Sequence, residues 1–134
     1  MTVIGMPQKM DDLKKFKPFE FQYWIINEMY GMPSPRKVGD MGIDGFSYME
    51  HCPIQVKQSE NIGRNVVDNF ETAIRRYYGA AHKGKMKGYI VAFNFGKGAH
   101  EEVIRAKKDG LEIHLITVQD ILDKKFEATP KELF

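Results

Sequence analysis

The order of elements along the 134 residues predicts an α/β fold: a central mixed β-sheet flanked by helices, in the order α-β-β-α-β-α-β-α. Three observations carry that expectation. Segments with helical apolar spacing alternate with short β-rich runs through most of the chain. Two of the β-rich runs, 43–50 and 53–59, follow one another closely enough to pair as an antiparallel hairpin. The later runs, 87–95 and 111–116, are each preceded by a helical segment, as parallel strands require.

Taken in order, residues 1–17 are weakly patterned and read as an N-terminal arm or the remnant of a linker. A helix is expected to begin near Pro18, a residue well suited to a first helical turn. Phe21, Trp24, Ile25 and Met29 recur at three- and four-residue spacing and form its apolar stripe, and Gly31 closes it. The following MPSPRKVGDMG is a loop punctuated by Pro and Gly. The hairpin turns around His51 and Cys52, with Pro53 at the first position of a strand, where a missing N–H costs least. A long helix over 62–80 buries Ile62, Val66, Val67, Phe70, Ile74 and Tyr77. The near-continuous apolar run KGYIVAFNF reads as an interior strand. A helix over 99–108, a strand over 111–116 and a last helix over 118–125 complete the domain, 18–125, and a polar tail occupies 126–134.

A chain of this length suits one domain with one core. The apolar fraction of 43% and charged fraction of 28% are ordinary, and a net charge of +2 does not by itself announce a nucleic-acid partner. The distribution says more: residues 58–97 hold seven basic side chains against three acidic ones. A single cysteine, Cys52, excludes an internal disulfide framework and fits a reducing compartment. No apolar run approaches the roughly 18 residues of a membrane span, and no secretory h-region opens the chain, so a cytoplasmic location and no membrane partner are expected.

The candidate chemistry lies in GDMGIDGFSYMEHCPIQVKQSE, residues 39–60. Gln55 and Lys57 fall on one face of a strand, roughly 6.5–7 Å apart, and the hairpin can bring Asp44 to the same place. A carboxylate, a carbonyl oxygen and an ammonium group together suit a divalent cation beside a phosphodiester. Asp40 reads as a turn-stabilising residue or a second carboxylate. Gly96-Lys97-Gly98 lacks the spacing of a phosphate-binding loop, and the four histidines with Cys52 lack zinc-ligand spacing.

The runs G39-D-M-G-I-D44-G and I54-Q-V-K57 resemble the Mrr-like branch of the PD-(D/E)xK nucleases. The later G88-Y-I-V-A-F-N-F-G-K-G-A-H-E-E-V and L111-E-I-H-L-I resemble the downstream strand, helix and strand of that family. The resemblance spans about 18–122 and is closest to nuclease-like segments at the C-terminus of some DNA methyltransferases, although the methyltransferase motifs themselves are absent from this chain. It implies the restriction-endonuclease-like fold and a Mg²⁺-dependent DNA endonuclease of the restriction type, with Mn²⁺ as a substitute metal. Asp44 would be the main metal ligand, with the Gln55 side-chain oxygen and the Val56 carbonyl as further ligands. Lys57 would stand beside the attacking water or the scissile phosphate. Glu20 matches the place of an additional acidic ligand, although an acid in a first helical turn is also favoured by the helix dipole. The short length suits either a lone domain or part of a larger protein.

DNA is the expected partner, contacted by Gln58, Ser59, Arg64, Arg75, Arg76, Lys83 and Lys85, with salt-dependent binding as the consequence. Tyr77 and Tyr78 could stack on bases, but Tyr77 falls on the apolar stripe. Cutting both strands implies a homodimer or a dimeric parent. Two rivals stand beside this reading. One is a non-cleaving DNA-binding or modification-sensing module working with a DNA methyltransferase. The other is a Holliday-junction resolvase, disfavoured by Gln at a position where such enzymes usually carry a carboxylate.

Overall fold

The computed structural model describes residues 10–34, 42–48 and 50–124. Helices α1 (Met10–Lys14) and α2 (Pro18–Glu28) lead into strands β1 (Met32–Pro33), β2 (Gly45–Phe46) and β3 (Pro53–Val56). Then follow α3 (Arg64–Tyr78), β4 (Met86–Ala92), α4 (Lys97–Lys108), β5 (Leu111–Thr117) and α5 (Val118–Leu122). The five strands form one mixed sheet in the order β1-β2-β3-β4-β5. β2 pairs antiparallel with β1 and β3, whereas β3, β4 and β5 run parallel. The α/β class, the antiparallel hairpin and the parallel later strands agree with the sequence reading.

Two layers of helices cover the sheet. Phe21, Ile25 and Ile26 of α2 and Met29 just after it pack with Leu13, Val118 and Ile121 on one face, against Ile54, Tyr89 and Val91. Val67, Phe70 and Ile74 of α3 and Ala99 and Ala106 of α4 cover the other, against Ile90, Leu111 and Ile113. The alternation of Tyr89, Ile90 and Val91 between the two cores is the period-two pleat of β4, buried on both sides.

Four expectations need correction. The loop after α2 contains a two-residue edge strand, β1, because Met32 and Pro33 pair with Phe46 and Gly45. Pro33 is tolerable on such an edge, where a missing donor leaves no ladder bond broken. The hairpin strands are shorter than 43–50 and 53–59, because Ser47 N–H donates to Cys52 O and His51 N–H to Ser47 O where the strands are expected to continue. There the Ser47 hydroxyl accepts the buried Cys52 N–H at 2.9 Å, and His51 adopts φ 53°. Tyr77, expected in the core, is 41% exposed and lies over the Phe46 ring with centroids 5.1 Å apart. Ile62 is buried but precedes α3, bridging to Phe95.

Within the stretch read as an arm, residues 1–9 lie outside the described residues, while α1 docks on the domain. Leu13 is fully buried, and the Gln58 amide donates to the Leu13 and Phe16 carbonyls at 3.1 and 2.8 Å. The tail, 126–134, also lies outside the described residues. Among the described residues no helix is long and apolar enough to cross a membrane. If α1 is part of the folded unit, Leu13→Ala should lower unfolding stability by about 2–5 kcal/mol. Urea denaturation reads this directly, and an unchanged midpoint would mean that α1 packs only loosely.

Candidate functional site

The end of β3 is where the hairpin and the parallel sheet diverge. Backbone groups of successive strand residues point to alternate neighbours. Lys57 N–H turns to β4 and donates to Val91 O at 2.8 Å, while Val56 N–H turns towards β2. The named β2 ladder has ended by then, with Gly45 paired to Ile54. The Asp44 carboxylate takes its place: Oδ2 accepts the Val56 N–H at 2.7 Å, and Asp44 N–H donates to Ile54 O at 2.8 Å. Asp44 is thereby half-buried and held at the strand end, so the sequence-predicted meeting of Asp44 with the triplet occurs.

Gln55 points from the same strand to the α3–α4 side of the sheet, since its neighbours Ile54 and Val56 pack on the other core. It is 6% exposed, and among the described residues its Oε1 has no hydrogen-bond partner. The backbone of Gly42 presses against the amide: a Cβ there would stand 2.7 Å from Gln55 Nε2, and Gly42 has φ +82°. Glycine therefore meets two demands at once, close approach and a left-handed backbone. Lys57 is half-buried and forms no ion pair among the described residues, unlike Lys14, Lys85, Lys87 and Lys97. Among the described residues, an acceptor lacking a donor and a cation lacking an ion pair thus stand one position to either side of Val56, whose N–H the Asp44 carboxylate accepts.

Other sequence-predicted residues are placed differently. Glu20 is exposed on α2, where its Oε1 accepts Lys17 N–H at 3.0 Å; it closes the helix start, as the dipole argument anticipated. Gln58 is occupied in holding α1, so its amide is a structural clasp. Ser59 is exposed, and its carbonyl accepts Phe93 N–H at 3.0 Å. Arg64, at the start of α3, lies at the site end of the sheet but pairs with Asp68 and Glu102 at 3.4 and 3.3 Å. Arg75 and Arg76 lie three turns further along α3, about 16 Å from Arg64. Lys83 and Lys85 precede β4, whose other end neighbours Lys57, so they stand ~20 Å from the site. Lys85 is paired with Glu112 at 3.1 Å. Tyr78 exchanges hydrogen bonds with the Lys87 backbone at 3.2 and 3.3 Å, and its hydroxyl is pushed up to about 12 by burial. Asp40 lies outside the described residues.

One cluster had no distinct signal in the sequence. Asp68, Glu71 and Glu102 place one carboxylate oxygen each within 4.8 Å of one another, an arrangement that could hold a metal ion. Arg64 and Arg105 already supply positive charge there. The spacing of Asp68 and Glu71 puts them on one side of a helix, but Glu102 is far away in sequence, and only the tertiary packing of α3 on α4 reveals the group.

No protein-family model, no curated protein and no solved structure matches the chain. A part-buried donor left unpaired costs about 1–3 kcal/mol. Asp44→Ala should destabilise the fold by that order, whereas Asp44→Asn, which keeps an acceptor oxygen, should stay within about 1 kcal/mol of the parent. Equal stability of the two variants in urea titrations would show that the Val56 N–H does not depend on this side chain.

Proposed function

We propose that the chain is a Mg²⁺-dependent DNA endonuclease domain with the restriction-endonuclease-like fold, related to the Mrr-like nucleases. The observation that carries this reading is the buried Gln55 Oε1, without a partner among the described residues, one position along β3 from the Val56 N–H that the Asp44 carboxylate accepts. An acceptor in that position lacks the donor that buried polar groups ordinarily have. A hard cation would satisfy it, and the donor set fits one: the Asp44 carboxylate, Gln55 Oε1 and the Val56 carbonyl are all oxygens. The α-β-β-β-α-β order around the hairpin supports the same assignment. Glu20 is left out of the ligand set because its carboxylate closes the start of α2.

Bound Mg²⁺, or Mn²⁺ in its place, would polarise a phosphoryl oxygen and lower the pKa of a nucleophilic water. The chain itself contributes position and charge. Asp44 is fixed by the Val56 N–H, so its orientation is set before any ligand arrives. Lys57, half-buried and without a counter-ion among the described residues, can hold a scissile phosphate and stabilise the negative charge that builds on it. Gly42 keeps the wall over Gln55 thin. Arg64 and Ser59 lie at the same end of the sheet and are the proposed backbone contacts. The distant Arg75, Arg76, Lys83 and Lys85 would meet DNA only along a longer track. Cleavage of both strands would require two copies of the site, hence a homodimer or a dimeric parent.

A second reading is favoured by one observation: Asp44 already accepts a hydrogen bond through Oδ2, and its neighbour Gln55 is neutral. A site with so little negative charge holds a cation weakly. The domain would then bind DNA or sense its modification for a methyltransferase without cutting. A junction resolvase has no such support.

The deciding experiment incubates the protein with unmethylated, methylated and four-way-junction DNA, with Mg²⁺ or Mn²⁺, beside Asp44→Asn and Lys57→Ala. The nuclease reading expects metal-dependent cleavage that falls by about 100-fold or more in both variants. DNA binding at low salt without cleavage of any substrate would transfer the assignment to the non-cleaving module. No affinity for DNA at low salt would overturn both.

A further inference from the structure

We propose that the chain forms a two-fold homodimer in which β5 pairs antiparallel with the β5 of a second copy, joining two five-stranded sheets into one. The two edges of the sheet are unlike. At one stands β1, only two residues long and carrying Pro33, a blunted edge of the usual kind. At the other stands β5, seven residues that pair with β4 in unbroken register and include neither proline nor lysine. Among the described residues no strand lies beyond it.

The backbone orientation of β5 follows from its pairing. Met86 N–H donates to Gly110 O at 3.0 Å, so the even-numbered residues turn their backbone groups to β4. Leu111, Ile113 and Leu115 turn theirs to the outer edge. Along that edge Val103, Ile104 and Lys107 of α4 line an open groove of about 430 Å³ with Glu112, Ile113 and His114. Ile104 is 64% exposed there.

The charges on the edge select both the occupant and the register. His114 Nε2 lies 2.9 Å from Glu112 Oε2 within one chain, so an acid and a base stand side by side on the face away from α4. Lys85 pairs with the other oxygen of Glu112 at 3.1 Å, and the His114 ring stacks on Tyr89. A second β5 running the other way meets the first in a pair centred on one residue. Centring on Glu112 would oppose two carboxylates, and centring on His114 would set Glu112 against Ile116. Centring on Ile113 sets Glu112 of each copy against His114 of the other, so the attraction is made twice. It also makes the two Ile113 residues exchange both backbone hydrogen bonds, with Glu112 and His114 at the closer, non-hydrogen-bonded spacing. An imidazole N–H donates to a carboxylate in either charge state of the ring. On the other face the two-fold turns the Ile104 side chains of both copies towards each other over Ile113. The contact does not rest on the endonuclease reading. Its opposed strands point the two β3 ends in opposite directions, so it assembles the chain without setting both candidate sites at one end of the joined sheet.

Sedimentation equilibrium between about 1 and about 200 µM should show reversible dimerisation, with a dissociation constant on the order of 10 µM for so small a contact. Glu112→Lys should weaken it by about tenfold or more, since it opposes a lysine to each His114. The double variant Glu112→Lys/His114→Glu restores opposite charges in the same register and should recover most of that loss. Ile104→Lys, at a position exposed in the single chain, should favour the monomer and leave its thermal midpoint nearly unchanged. In the parent, amide exchange at Ile113 should slow as concentration rises. A monomer throughout the range would overturn the proposal, as would a dimer whose Ile113 exchange ignores concentration; both readings stand even if a variant fails to fold. A double variant no tighter than Glu112→Lys would overturn the register and the proposal with it. So would a monomer that dimerises only after removal of residues 125–134, by giving the edge to the chain's own tail.

Discussion

Parallel pairing of β3, β4 and β5 is the constraint from which the remaining architecture follows. Each parallel step needs a crossover, and crossovers of this kind are right-handed. Because the strand order advances in one direction, α3 and α4 must both lie on the same face, side by side. The opposite face is left for α1, α2 and α5. The arrangement commits β4 to burial on both sides, which its apolar run Tyr89–Ala92 satisfies. It also makes the α3–α4 contact unavoidable, and so brings Glu71, Glu102 and Arg105 together. The candidate site is the other product of this geometry. It forms where β3 has left its antiparallel neighbour but still belongs to the parallel sheet, and the Asp44 side chain fills the backbone vacancy.

Much of this was legible in the chain because the signals were local. α3 and β4 declared themselves through apolar periods within one segment, and Asp44, Gln55 and Lys57 through a hairpin only a dozen residues long. What was missed depended on distant partners. β1 is two residues whose strand character comes entirely from pairing with β2. Leu13 is one apolar residue among charged neighbours, and its burial depends on Gln58, 45 residues away. Tyr77 continues the stripe of α3, but the sheet beneath it is already reduced to the short β2, so the ring reaches the surface. Charged residues were hardest to interpret. Glu71 and Glu102 look like ordinary solvated positions until the helices are docked, and Glu20 looks like a ligand until its hydrogen bond to Lys17 is seen.

The disposition of charge separates two kinds of cation. Arg64 and Arg105 are committed to carboxylates within the helical layer and bind the two helices to each other. Lys57 has no such commitment among the described residues. The basic excess of the middle segment is thus partly internal, which explains how a chain of net charge +2 can concentrate positive charge there without presenting all of it outward. Counting cations along the chain overstates the surface available to a polyanion; subtracting the paired ones leaves a smaller set divided between the two ends of the sheet.

The turn that carries Cys52 has a practical implication. The thiol is 2% exposed, and burial raises its pKa, so at neutral pH little of the reactive thiolate is presented to solvent. It sits between β2 and β3, in the connection that brings Asp44 to Gln55. A thiol-directed dye can reach it only when that connection opens. The labelling rate is therefore a built-in clock for breathing of the hairpin, readable without adding any probe to the chain.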